Sequence, residues 1–193
     1  AARGSFTAVP GMSAARSWHS LTALADGNVV AIGGLRRNTA DLFNLVANTF
    51  QPMRSLLEHP RAGHTATLLQ DGRVLVTGGW KLSSFADTAL SAEVFDPQTG
   101  NFRSLSTGLS VPRAGHTATL LQDGRVLIAG GTNDEGASNS ADIYDPMTEE
   151  IRPLGRRMQF GRGLHTATLL PSGKVLLIGG IAEQMVPRTK LAK

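Results

Sequence analysis

A stretch of twenty residues occurs twice in this chain, almost unchanged. Residues 60–79 read PRAGHTATLLQDGRVLVTGG and residues 112–131 read PRAGHTATLLQDGRVLIAGG, and their first sixteen positions are identical. Looser copies occupy residues 16–34 (RSWHSLTALADGNVVAIGG) and 162–180 (RGLHTATLLPSGKVLLIGG). Such self-similarity is the signature of a repeat architecture, in which each unit buries its apolar surface against its neighbours.

The four copies set a period near 50 residues. Each copy carries one histidine, and successive histidines lie 45, 52 and 49 residues apart: His19, His64, His116 and His165. Each copy also ends on a double glycine, and these pairs are Gly33 and Gly34, Gly78 and Gly79, Gly130 and Gly131, and Gly179 and Gly180.

Each unit reads as four short β-strands. In the second unit we expect strands at residues 64–70, 74–77 and 92–95 and a fourth strand around Phe102. Asp71-Gly72 is typical of a hairpin turn between the first two strands. The small residues around His64 suit an innermost strand, and the apolar run 74–77 suits a strand covered on both faces.

The third and fourth strands recur with a fixed spacing. Third strands are expected at residues 40–43, 92–95 and 141–144, each with an acidic residue two positions before an aromatic one: Asp41 before Phe43, Glu93 before Phe95, and Asp142 before Tyr144. Each aromatic residue precedes a fourth-strand residue by seven positions, in the pairs Phe43 and Phe50, Phe95 and Phe102, and Tyr144 and Ile151. This constant interval predicts one hairpin register in every unit.

The period, the double glycine, the acidic residue before the aromatic one and the R-x-x-H-x-x-T opening together resemble the kelch repeat, and more closely its bacterial branch, which includes the central domain of galactose-oxidase-like proteins. The resemblance covers nearly the whole chain. It implies an all-β fold, a kelch-type β-propeller or partial propeller with about four blades of four-stranded antiparallel sheet, and the first strand innermost in each blade.

The repeats divide one propeller segment, residues 1–193, into units. Residues 13–54, 59–106 and 111–157 are three full units, and residues 160–193 form an incomplete one, in which Ala182 and Glu183 can begin a third strand. Residues 4–9, within the opening segment 1–9, resemble the final strand of a preceding blade. Two interpretations stay open: a piece of a larger propeller, which we favour, and a four-unit ring that residues 4–9 complete.

Composition narrows the function. The net charge is +4, but the arginines are spread evenly along the repeats, so we expect no nucleic-acid partner. Without cysteine the chain has no disulfide and no thiolate chemistry. No apolar run approaches the roughly 18 residues of a membrane span. The family resemblance favours a secreted or cell-surface location, and a cytoplasmic one stays open.

The repeated polar residues are predicted to be structural. One histidine per blade would form a ring too wide for a common metal ion, so no metal site and no cofactor is expected. The arginines that open the units, Arg16, Arg61, Arg113 and Arg162, are expected to pair with the recurrent acidic residues or with backbone carbonyls at the blade junctions. An anion-binding ring is the alternative.

The departures from the repeat mark the candidate binding site. Trp18 and Leu164 replace Gly63 and Gly115, and the loops after the double glycines differ in length. Because strands alternate in direction, these features all collect on one face, opposite the short uniform turns. Binding is therefore predicted near Trp18, Arg36, Arg37, Trp80 and Lys81. Phe85 lies in the same loop as Trp80, and the loop around Asp134 lacks the spacing of a calcium site.

The most favoured function is a non-catalytic binding or scaffold module of a larger bacterial kelch protein, binding a protein or a carbohydrate. Other propeller blades or a second copy of the chain are further expected partners. The alternative is the propeller domain of a carbohydrate-active or copper-radical oxidase with its catalytic residues outside this chain, because Tyr144 is the single tyrosine and cysteine is absent. A weaker third possibility is a cytoplasmic protein-binding adaptor.

Overall fold

The computed structural model describes residues 7–81 and 88–182, and within these ranges every regular element is a β-strand. The first sheet contains β1 (Ser20–Ala23), β2 (Val29–Ile32), β3 (Ala40–Asn44) and β4 (Thr49–Pro52). The second contains β5 (Thr65–Leu68), β6 (Val74–Thr77), β7 (Ala92–Asp96) and β8 (Asn101–Ser104). The third contains β9 (Thr117–Leu120), β10 (Val126–Ala129), β13 (Ala141–Asp145) and β14 (Glu150–Pro153). A small ribbon, β11 (Thr132–Asn133) with β12 (Gly136–Ala137), follows β10, and the chain continues into the hairpin of β15 (Thr166–Leu169) and β16 (Val175–Ile178).

Each four-stranded sheet is an antiparallel meander, and the sheets follow one another around an axis. The strand orders are β1-β2-β3-β4, β5-β6-β7-β8 and β9-β10-β13-β14. The first strands meet in sequence, since β1 contacts β5, β5 contacts β9, and β9 contacts β15. This is the blade arrangement of a propeller with the first strand innermost, so the predicted fold class is confirmed.

The core lies between the blades rather than within one of them. Successive residues of a strand point to opposite faces, so Val74 and Val76 of β6 pack against the first blade while Leu75 packs against the third. Phe95 belongs to the hydrophobic cluster between the first and second blades, and Tyr144 is fully buried in the cluster between the second and third. The second blade is therefore stabilised by both of its neighbours.

The hairpin register of the third and fourth strands is uniform. Phe43 lies opposite Phe50, Phe95 opposite Phe102, and Tyr144 opposite Ile151. The two phenylalanine pairs bring their ring centroids to 5.0 and 4.9 Å. The seven-residue interval thus predicted the pairing correctly, because a fixed turn length fixes the register of a hairpin.

Two details differ from the sequence-based expectations. The first strands are shorter than predicted, since β5 covers Thr65–Leu68 rather than residues 64–70. Residues 7–9, the described part of the predicted preceding strand, form no strand, and residues 1–6 lie outside the described ranges. The predicted third strand of the last unit also lies largely outside, since the description ends at Ala182.

Candidate functional site

Four residues, one from each unit, form a continuous backbone arc at the inner start of the blades. Trp18, Gly63, Gly115 and Leu164 all adopt left-handed backbone conformations, with φ of 57°, 61°, 60° and 54°. The Gly63 N–H donates to the Trp18 carbonyl at 2.9 Å, the Gly115 N–H to the Gly63 carbonyl at 2.8 Å, and the Leu164 N–H to the Gly115 carbonyl at 2.7 Å. We call these four residues the rim.

Two rim positions carry large side chains in a conformation that favours glycine. A left-handed conformation costs a residue with a Cβ about 1–2 kcal/mol, yet Trp18 and Leu164 adopt it with side chains that are substantially exposed, 52% and 42%. Burial recovers little of this cost. Strained, exposed residues on a rigid scaffold are characteristic of binding surfaces.

The structure brings the two tryptophans of the chain together. The Trp18 and Trp80 rings meet edge to face, with centroids 5.7 Å apart and an interplanar angle of 88°. Trp80 is only 4% exposed and packs with Ala62 and Ala114. A Cβ added to Gly63 would lie 2.4 Å from Trp80 Cζ3, so the glycine makes room for this ring. Trp80 therefore supports Trp18 from below and has little surface of its own to offer a ligand.

The three predicted cationic residues follow the double glycines on the same face. The Leu35 N–H donates to the Ser17 carbonyl at 2.9 Å, which holds the first loop beside Trp18. Arg36 and Arg37 come next and are exposed, and Lys81 is half-buried. We call this face, with the rim and the loops after the double glycines, the loop face. Phe85 lies outside the described ranges.

Three of the four arginines that open the units, Arg16, Arg61 and Arg113, are buried in ion pairs, whereas Arg162 is half-buried and donates to the Gly179 carbonyl at 3.0 Å. The Nη2–carboxylate distances are 2.6 Å for Arg16 to Asp41, 2.6 Å for Arg61 to Glu93 and 2.9 Å for Arg113 to Asp142. Each guanidinium also donates to the carbonyl of the first glycine of its own unit. The predicted contacts of Arg61 and Arg113 are confirmed, and their burial leaves no open anion site at these two positions.

Burial strongly perturbs these ionisable groups. Desolvation lowers the pKa of Arg61 and of Arg113 and raises the pKa of Glu93, while attraction within each pair opposes these shifts. Removing one member of such a pair would leave an uncompensated buried charge. The pairs therefore hold the third strand of a blade against the start of its first.

The histidines join neighbouring blades. Each Nε2 lies 2.9 Å from a hydroxyl oxygen on the preceding first strand, in the pairs His64 with Ser20, His116 with Thr65, and His165 with Thr117. Burial lowers the pKa of His64 to about 3 and also lowers those of His116 and His165. Across the described ranges, no three His, Cys, Asp or Glu residues form a group that could hold a metal ion.

A cleft on the opposite face had no counterpart in the sequence-based prediction. It has a volume of about 470 Å³ and lies between the turns of the first two blades, among Asp26, Asp71 and Pro97. At the next junction the Gln70 side chain covers Gly124, but nothing described lies within 4 Å of a Cβ added to Gly72. Ala25 occupies the position equivalent to Gln70, so this replacement is the sequence signal for the cleft.

The ribbon of β11 and β12 was also missed. Its turn is closed by the Glu135 N–H donating to the Asn133 side chain at 2.9 Å. The sequence around Asp134 reads as an ordinary polar loop, because a two-residue strand leaves no recognisable alternation of polar and apolar residues.

Comparison with known proteins agrees with this architecture. The kelch motif family matches residues 112–150, and no curated protein matches the chain. Among solved structures, YjhT, a kelch-type propeller protein, superposes with a TM-score of 0.74 at 16% sequence identity. The match covers 91% of this chain and 61% of YjhT, so the chain spans less than two thirds of that protein. The kelch resemblance is thereby confirmed, and the fold is that of a kelch-type propeller.

Proposed function

We propose that this kelch-type propeller segment is a non-catalytic binding module that recognises a carbohydrate or a protein through its loop face. The observation that carries the proposal is Trp18, which is half exposed at a left-handed φ of 57° and braced by the buried Trp80 ring. Kelch repeats typically mediate protein binding.

The chemistry around Trp18 suits recognition rather than catalysis. One edge of its indole rests against Trp80, and more than half of the residue's surface stays accessible to a ligand. Tryptophan and arginine are the residues most enriched at energetic centres of binding surfaces, and exposed Arg36 and Arg37 follow the loop segment that is bonded to Ser17. A sugar ring or an apolar side chain of a protein would stack on Trp18, and the arginines would add polar contacts.

The proposal extends to the setting of the module. We place it in a larger bacterial protein that is secreted or displayed at the cell surface, which the kelch resemblance supports. No helix that could cross a membrane occurs in the described ranges. A carbohydrate ligand suits a secreted or cell-surface location. A protein ligand suits that location and a cytoplasmic one equally.

Intrinsic fluorescence tests the proposal directly, because the chain has only two tryptophans. The Trp80→Phe variant leaves Trp18 as the single reporter. We expect a panel of neutral mono- and oligosaccharides, or a candidate partner protein, to shift its emission and protect it from acrylamide quenching. Trp18→Ala should abolish the same binding when it is followed by calorimetry.

The matched control lies on the opposite face. Asp96 and Asp123 sit in the short turns there, and their replacement by alanine should change stability while leaving affinity unchanged. If Trp18→Ala leaves affinity unchanged while the turn variants weaken it, the binding site lies on the face opposite the loop face and the proposal fails.

A further inference from the structure

The cleft on the face opposite the loop face lies where two other junctions are filled by a glutamine. Between the second and third blades, Gln70 Oε1 lies 2.8 Å from a Cβ added to the turn glycine Gly124, and Gln70 Nε2 donates to the Gln122 carbonyl at 3.5 Å. Between the third blade and the hairpin of β15 and β16, Gln122 repeats both contacts. Its Oε1 lies 3.2 Å from a Cβ added to Gly173, and its Nε2 donates to the Pro171 carbonyl at 3.2 Å. A side-chain carboxamide therefore belongs to this position of the repeat.

The junction between the first and second blades lacks the carboxamide, because Ala25 stands in the glutamine position. Nothing described lies within 4 Å of a Cβ added to Gly72, which is half-buried, whereas Gly124 is buried beneath Gln70. No described N–H donates to the Gln70 carbonyl, which holds the position of the Gln122 carbonyl at the next junction. The cleft thus keeps the acceptor and the glycine floor of the other junctions, and the opening results from a substitution inside the repeat.

Two further replacements remove the ion pair that spans the next junction. There, Arg73 of the second blade pairs with Glu149 of the third. The equivalent positions of the first two blades hold Asn28 and Gly100, which cannot form an ion pair. The first junction therefore lacks both side-chain bridges of the second, which agrees with the cleft of about 470 Å³ found there.

The charge of the cleft favours a neutral amide over an acid. Its lining contains the carboxylates of Asp26, Asp71 and Asp96 and the guanidinium of Arg73, which is already paired with Asp71 at 2.7 Å. A primary carboxamide offers two N–H donors and one acceptor. It can therefore donate both to the Gln70 carbonyl and to a carboxylate, whereas a carboxylate ligand would be repelled.

We propose that the cleft binds the side-chain carboxamide of a glutamine that a partner protein presents, in the place that Gln70 and Gln122 fill at the other two junctions. The partner's amide nitrogen would donate to the Gln70 carbonyl, and its amide oxygen would lie against Gly72. The site is separate from the loop face, and its occupation is independent of what binds Trp18.

The surroundings of the cleft suit a protein as the source of the amide. The turn between β3 and β4 lies beside the cleft wall, since Leu45 Cδ2 is 3.3 Å from a Cβ added to Gly27, the neighbour of Asp26. Leu45 is 59% exposed and Val46 is 96% exposed. Exposed apolar residues beside a polar recess are typical of a protein interaction surface. A partner segment would cover Val46 while its glutamine enters the cleft.

Titrations followed by two-dimensional NMR test the specificity on the wild-type chain. The probe is N-acetyl-glutamine methylamide, and the analogues are the same blocked forms of glutamate and methionine, which share its backbone amides. We expect the glutamine probe to shift the amide resonance of Gly72. Each analogue should bind about fivefold more weakly or worse, as expected for the loss of one hydrogen bond. N-acetylglucosamine, which carries its amide on a sugar, should also bind more weakly than the probe.

Two reciprocal substitutions move the site. Ala25→Gln supplies the missing carboxamide from the chain itself and should abolish the shift at Gly72. Gln70→Ala should open the next junction and add a second shift at Gly124. Both variants change exposed residues to the residue found at the equivalent position of a neighbouring unit, so the fold should be preserved, as judged by circular dichroism.

The Trp18→Ala variant separates this site from the loop face, since it should leave the shift at Gly72 unchanged. A wild-type chain that shows no shift at Gly72 would overturn the proposal. Equal binding of the three blocked residues, tighter binding of N-acetylglucosamine, or an Ala25→Gln variant that binds like the wild type would overturn it as well.

Discussion

A pair of glycine-to-alanine variants separates the blade junction from local backbone strain. Gly78 and Gly179 are the first glycines of their pairs, with similar left-handed φ of 61° and 72°. A Cβ at Gly78 would lie 2.3 Å from the Arg113 carbonyl oxygen and 2.8 Å from His116 Cε1, whereas a Cβ at Gly179 would meet nothing described within 4 Å. The two substitutions therefore share one cost and differ in another.

The size of each cost follows from these contacts. Both variants lose about 1–2 kcal/mol because alanine disfavours the left-handed conformation. Gly78→Ala also forces the third blade outwards, and such overpacking costs about 1–3 kcal/mol. The displacement weakens the hydrogen bond from the Gly79 N–H to the Arg113 carbonyl, a further loss of about 1 kcal/mol. We expect Gly78→Ala to be less stable than Gly179→Ala by about 2–4 kcal/mol.

Urea unfolding followed by circular dichroism measures the difference. The protein should be dilute enough to be monomeric, because any association would add to the stability of the wild type by mass action. Equal destabilisation by the two substitutions would show that the double glycine serves backbone conformation alone and that close approach of the next blade is unimportant.

Two further predictions concern the buried polar groups. Arg113→Ala should lower the free energy of unfolding by about 3–5 kcal/mol, because it leaves Asp142 buried without its partner. Arg103→Ala breaks an exposed pair with Glu149 and should lower it by no more than about 1 kcal/mol. Similar losses in melting temperature for the two variants would contradict the ion-pair argument. Burial lowers the pKa of His64 from 6.5 to about 3, so on acidification the unfolded chain takes up a proton at this residue before the folded chain does. The stability that the neutral His64 contributes should therefore be complete above about pH 6.5. Below that pH it should fall, by up to about 1.4 kcal/mol per pH unit. Urea titrations between pH 7 and pH 5 that show no loss of stability would refute the neutral, buried imidazole.

The strand pattern could be predicted because its signals are local and repeated. The second and third strands of each unit are marked by apolar runs and by an acidic residue before an aromatic one, and β6 spans the predicted residues 74–77. The fixed interval from Phe95 to Phe102 gave the register. The first strand of the second unit was extended too far at both ends, because His64 contacts the preceding blade and Leu69 already takes part in the turn through its hydrogen bonds with Arg73 and Gly72.

The placement of single side chains was less predictable, because the burial of a side chain depends on the neighbouring units. Trp80 and Trp18 are both departures from the repeat, and nothing local distinguishes a tryptophan that covers Gly63 from one that faces solvent. The glycine at position 63 is the retrospective signal, since it makes room for a ring from the same blade. The cleft between the turns of the first two blades was unpredictable for a similar reason, since Ala25 is informative only when it is compared with Gln70.

The rim shows how a uniform backbone can carry different side chains at equivalent positions of the repeat. Its left-handed conformation is imposed by the hydrogen bonds that link successive units, so it persists whichever residue occupies a position. At Gly63 the space above the rim is filled by Trp80, and at Gly115 by Leu164, whose Cδ2 would lie 2.8 Å from an added Cβ. Leu164 shares the strained conformation and is 42% exposed, whereas Trp18 adds a larger side chain where glycine would relieve strain and is 52% exposed. The proposed ligand contacts of Trp18 would offset this cost of about 1–2 kcal/mol, for which burial gives little in return, and the proposed site therefore centres on this residue.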